Sequence, residues 1–155
     1  MTGALKNKGE LIMRFEKLEF DRKIENLKRL HKHLNKHLFG NCLDEIAIDI
    51  ENLDARGMFY EADDHISICS TYISDVISSL AVRDQIISLA TVMLHEMIHQ
   101  YCFENNIGTF NSSESGHNEK YLEEAWKHGL IVNADLSEEH LELRAIIEIS
   151  NFRFR

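Results

Sequence analysis

Along residues 9–38, apolar positions recur every three or four residues. Phe20, Ile24, Leu27, Leu30, Leu34 and Leu38 form one stripe, and Lys and Arg fill the other faces. That period predicts a long amphipathic helix. Phe39-Gly40-Asn41 ends it, because Gly and Asn accept the left-handed cap conformation. The period then drops to two. Residues 45–50 alternate isoleucine with smaller or polar residues, as a half-buried strand does. Residues 58–61, entered through Gly57, predict a second strand and residues 65–69 a third. Asp63-Asp64 marks the turn of an antiparallel hairpin between them. Ser70 or Thr71 can cap a short helix through about Leu80.

Helical spacing returns over residues 82–103, where Ile86, Ile87, Ala90, Met93, Leu94, Met97, Ile98 and Tyr101 follow one another without Gly or Pro. Residues 105–108 stop this helix, and 108–117, rich in Gly, Ser and Asn, read as a loop. Asn118 caps a helix over 119–128, with Gly129 just past its end. Ser137 followed by Glu138 and Glu139 opens a last helix carrying Leu141, Ala145, Ile146 and Ile149. Residues 151–155 alternate in the manner of a strand. The pattern predicts one α+β domain over the 155 residues, with its core at about 20–130.

Composition narrows the class. The hydrophobic share of 44% suits a globular core, and the formal net charge is −9. The charge is unevenly spread. Residues 1–40 carry ten Lys/Arg and five Asp/Glu, the rest seven and twenty-one, so a +5 front joins a −14 body. The whole is no duplex-DNA binder by charge, although the basic helix suits weak local contact with a phosphate backbone. A solvated face is the commoner use of such a helix. Cys42, Cys69 and Cys102 are odd in number and widely spaced, which predicts small core residues rather than bridges or a zinc ribbon. The start lacks the apolar run of a signal peptide, and no apolar stretch approaches a membrane span. A soluble cytoplasmic protein is the expectation.

Candidate chemistry sits in the 82–103 helix, in His95-Glu96-Met97-Ile98-His99. With 3.6 residues per turn, His95 and His99 share a face and can share a zinc ion. Glu96 lies about 100° round the helix and suits a base acting on metal-activated water. His33 and His37 are also one turn apart. No carboxylate stands between them and their neighbours are lysines, so they predict a solvated face. A catalytic zinc takes three protein ligands. His117, eighteen residues after His99, and Glu119, twenty after it, are both candidates for the third.

The motif together with Gly116-His117 and the later Tyr121 resembles the SprT-like (Spartan) zinc metalloproteases. Asn35-Lys36-His37-Leu38-Phe39-Gly40 resembles that family's Asn-x-x-Leu-Phe-Gly region. Gly57-Met58-Phe59-Tyr60 is similar to its Gly-aromatic strand, and Ile66-Ser67-Ile68-Cys69-Ser70 to the strand before its active-site helix. The resemblance implies a zincin-like minimal protease domain in which one Zn2+ is held by His95, His99 and His117, with Glu96 as base. It also implies a protein or peptide substrate paired along residues 65–69, and a role on DNA-associated or DNA-crosslinked proteins. Tyr121 and His128 are candidates, by position, for stabilising the transition state. The chain departs from the family in three ways. Asn118-Glu119 follows His117 where Gly-Pro is usual, which keeps Glu119 as the alternative ligand. Gln100 replaces a small residue, and no zinc ribbon is present. A zinc-stabilised binding protein without turnover and a cytoplasmic peptidase unrelated to DNA remain open alternatives. The sequence sets no oligomeric state.

Overall fold

The computed structural model describes residues 2–108, 117–133, 138–140, 143, 147 and 152–155. The first helix, α1 (Thr2–Leu38), begins earlier than the stripe requires. Only its second half is packed. Leu27, Leu30 and Leu34 are buried, whereas Leu11, Phe15, Leu18 and Phe20 stand exposed. Phe20 therefore drops out of the predicted core stripe. Gly40 and Asn41 both take positive φ at the helix end, 58° and 63°. The Asn35 side chain fixes the exit, donating to the Leu43 carbonyl and accepting from the Leu43 amide.

Three strands follow, β1 (Ala47–Glu51), β2 (Gly57–Tyr60) and β3 (His65–Cys69). β2 and β3 form the predicted antiparallel hairpin, with Asp64 at φ 50° in its turn. β1 pairs with β3 in parallel, so the sheet order is β1-β3-β2. The central strand is thus β3, and Ile66 and Ile68 on it are fully buried. This corrects the expectation that residues 65–69 pair with a substrate, because both edges of β3 are already occupied.

The short helix α2 (Ser70–Ser79) leads into α3 (Val82–Glu104). Cys69 is the residue at the N-terminal cap of α2, and neither Ser70 nor Thr71 fills that position. Along α3, Ile86, Ala90, Met93, Leu94, Met97, Ile98 and Cys102 are completely buried. This helix packs against β2 and β3 and also against α1, α2 and the next helix, α4 (Glu119–Lys127). Being buried on several sides, it is apolar nearly all round, as core helices are. Gln100 is buried too, and its polar atoms are satisfied: it meets His31 Nε2 at 2.8 Å and donates to the Asp44 carbonyl. A buried amide left unpartnered costs free energy, and these contacts remove that penalty while tying α1 to α3. They explain why a large polar residue follows His99. Cys69 and Cys102 are core residues as expected, but Cys42 is exposed.

Asn118 caps α4 by accepting from the Tyr121 amide at 3.0 Å, and Gly129 leaves it with φ 90°. The chain then makes a small antiparallel ribbon of β4 (Leu130–Val132) and β5 (Glu138–His140). The ribbon overturns the predicted helix start at Ser137-Glu138-Glu139. Pairing with the apolar residues 130–132 outweighs the local cap signal there, as tertiary context commonly does. Leu141, Ala145, Ile146 and Ile149 lie outside the described residues, while Leu143 and Ile147 are helical and buried. Residues 152–155 are not a strand. Their backbone is satisfied by α1 instead: Asn26 bonds both the amide and the carbonyl of Arg155, and Arg29 donates to the Arg153 carbonyl. Among the described residues no helix is long and apolar enough to cross a membrane.

Candidate metal centre

Three imidazoles converge at the middle of α3. His95 and His99 project from successive turns, and His117 reaches them from the residue before the α4 cap. The ligand-type atoms of all three lie within 4.8 Å of one another. His95 Nε2 and His117 Nε2 are 2.9 Å apart. The His99 and His117 rings are stacked with centroids 5.4 Å apart. Glu119 stands exposed in the first turn of α4, outside this cluster. The Asn118 cap separates the two candidates, because His117 precedes the helix and Glu119 has already entered it.

Electrostatics favour neutral, lone-pair-bearing rings at two of the three positions. Burial, reinforced by the facing His95 and His117, pushes His99 down to about 3. Burial and His95 also lower His117. At His95 burial opposes the charge, but the Glu138 hydrogen bond and the charges of Glu96 and Glu138 outweigh it and raise its pKa. Glu138, on β5, meets His95 Nδ1 at 2.8 Å. Three imidazole nitrogens this close together could hold a metal ion.

Glu96 is 5% exposed, with Oε1 4.0 Å from His95 Nε2. Burial lifts its pKa to about 7, with the Glu138 charge adding to the rise; His95 and a backbone hydrogen bond from Phe59 act in the opposite sense. β2 covers this carboxylate closely. A Cβ on Gly57 would stand 2.9 Å from Val92 Cγ1 and 3.1 Å from Glu96 Cγ, so only glycine lets the strand lie this near.

Tyr121 is at the cluster but not as a free donor. It is fully buried, stacks on His99 with centroids 4.4 Å apart, and its hydroxyl donates to the His95 carbonyl at 3.0 Å. Burial pushes its phenol well above the usual range. The geometry suits a wall that holds His95 and His99, not a group that meets a developing oxyanion. His128 is elsewhere. It closes α4, stacks on Phe39 and bonds the Glu124 carbonyl oxygen through Nδ1. Of the two residues that sequence position suggested as stabilisers, Tyr121 borders the cluster and His128 stands apart from it.

Sequence reasoning missed Glu138. It lies 43 positions from His95 and carries no local metal-site signature. In the sequence it reads only as part of the Ser137-Glu138-Glu139 helix start. The structure thus defines a three-histidine, metal-capable cluster on an α+β scaffold with a mixed three-stranded sheet. Comparison with protein-family models, with curated proteins and with solved structures finds no match to the chain.

Proposed function

We propose that the chain is a zinc-dependent endopeptidase of zincin-like architecture, akin to the SprT-like enzymes. The observation that carries the reading is the meeting of His95, His99 and His117 beside the buried carboxylate of Glu96. His95, His99 and His117 would hold the ion. When bound, the ion supplies Lewis acidity to water and to a scissile carbonyl. Glu96 takes the proton from the attacking water on its carboxylate and returns it to the leaving amine. The apolar surroundings of Glu96 keep that carboxylate from being fully hydrated, which strengthens its pull on the proton.

Among the described residues no strand but β3 pairs with β2, and on β2 the Phe59 backbone amide hydrogen-bonds the Glu96 carboxylate. An extended peptide adds to the edge of β2 away from β3 through main-chain hydrogen bonds. Strand addition at β2 replaces the pairing with β3 that the fold forbids. The exposed lysines and arginines of α1 support a phosphate contact, which extends the reading to proteins held on DNA.

The deciding experiment is digestion of casein and histone by zinc-loaded protein, with and without single-stranded DNA, beside Glu96→Gln. Cleavage by the wild type alone supports the peptidase, and stimulation by DNA supports the DNA-linked role. Tight zinc binding with no cleavage of either substrate would replace this reading with a zinc-stabilised binding protein.

A further inference from the structure

One of the ligand histidines is backed by a carboxylate: Glu138 Oε2 lies 2.8 Å from His95 Nδ1. Glu138 is brought there by the β4–β5 ribbon, in which Glu138 pairs with Val132, and its side chain is largely withdrawn from solvent at 20% exposure. A carboxylate oxygen accepts and does not donate, so the hydrogen in this contact sits on Nδ1. A neutral His95 ring then carries its lone pair on Nε2, the atom that faces His117. The opposite tautomer would put a hydrogen where an ion must bind. Tyr121 pins the His95 backbone carbonyl, so ring and main chain are fixed by two separate elements.

We propose that Glu138 is the positioning residue of the metal centre. It selects the Nδ1–H tautomer of His95, aims Nε2 at the ion and raises the donor strength of that nitrogen. The inference rests on the metal-site reading above. Groups bonded behind a ligand histidine in this way commonly change metal affinity by about ten- to a hundredfold.

The test has two arms, on the whole 155-residue chain. In the first, Zn2+ and Co2+ are titrated into wild type, Glu138→Ala and Glu138→Gln, with His117→Ala as the variant lacking a ligand. Glu138→Ala should bind about ten- to a hundredfold more weakly. Glu138→Gln, whose amide oxygen still accepts from Nδ1–H, should fall between it and wild type. The Co2+ absorption of both should remain that of a three-histidine site. In the second arm, nitrogen NMR of the metal-free protein reads the His95 tautomer. Nδ1–H should dominate in wild type and in Glu138→Gln and be lost in Glu138→Ala. Unchanged affinity in a folded Glu138→Ala, or a His95 that is Nε2–H in wild type, overturns the proposal. Should wild type bind neither metal, the metal reading fails, and the positioning role fails with it even if the tautomer follows Glu138. Should Glu138→Ala not fold, the Gln variant decides, because equal affinity and tautomer mixing there also count against the assignment.

Discussion

The chain holds two histidine pairs at the same four-residue spacing, and among the described residues only one of them is joined by a third ligand-type side chain in a metal-capable group. His33 and His37 on α1 have ring centroids 4.5 Å apart, closer than the 5.3 Å between His95 and His99 on α3. Proximity on one helix face is therefore not what distinguishes them. Around His95 and His99 stand a third imidazole and two carboxylates, Glu96 and Glu138. Around His33 stand His37, Lys36 and Arg29, all of which disfavour added positive charge, and the ring packs on Phe152. The position after the first histidine is Glu96 in one pair and the buried Leu34 in the other. A pair becomes a candidate metal centre when the tertiary fold delivers a further donor and negative charge. The helix alone supplies only spacing.

The sharpest way to break this comparison is at Glu96. Glu96→Gln should leave zinc affinity near wild type while lowering the rate of casein digestion by roughly two to four powers of ten. Full activity in that variant would remove the proposed base. Next in size is ligand removal. His99→Ala should weaken zinc binding on the order of a hundredfold to a thousandfold, whereas His37→Ala should leave it unchanged in the same calorimetric titration. Equal losses would show that both pairs bind metal. A smaller effect is expected where β2 covers the motif. Gly57→Ala introduces a methyl against Val92 and Glu96; denaturant unfolding should record a loss of ~1–3 kcal/mol. No loss would mean that the strand can lift away freely.

The smallest effect concerns pH. Burial, then His37, Lys36 and Arg29, hold His33 below its ordinary 6.5 in the fold. The unfolded chain therefore takes up the proton first, and this contribution costs the fold stability as pH falls through 6.5. Above that range both states are neutral at this ring and the contribution vanishes. His33→Gln, unfolded in the presence of a chelator, should lose less stability than wild type between neutral and mildly acid pH. Parallel curves would show that His33 titrates alike in both states.

Local signals carried most of this fold. The apolar run of α3, the Gly40-Asn41 exit and the hairpin around Asp64 are each written in a few adjacent residues. The placement of β3 was not legible, because β1 reaches it in parallel across the intervening β2. The ribbon was not legible either, since Ser137-Glu138-Glu139 has the composition of a helix start, whereas residues 138–140 pair with 130–132 as a strand. At the site, the spacing of His95 and His99 is a property of one helix and could be read directly. The choice between His117 and Glu119 depends on where α4 begins, which the Asn118 cap decides. The roles of Tyr121 and Glu138 depend on contacts 26 and 43 residues away from His95, for which no periodic pattern exists.

The histidine cluster has a mechanical side. His95 belongs to α3, His117 stands at the doorway of α4, and Glu138 is carried by β5, so the cluster is where three separately built pieces of chain touch. An ion seated among them would act as a rivet, fastening α4 and the β4–β5 ribbon onto the central helix. Amide exchange in α4 and β4 should then slow when zinc is added, while exchange over residues 27–34 keeps its pace. The same property makes α4 and the β4–β5 ribbon the first parts expected to loosen when a chelator strips the metal away.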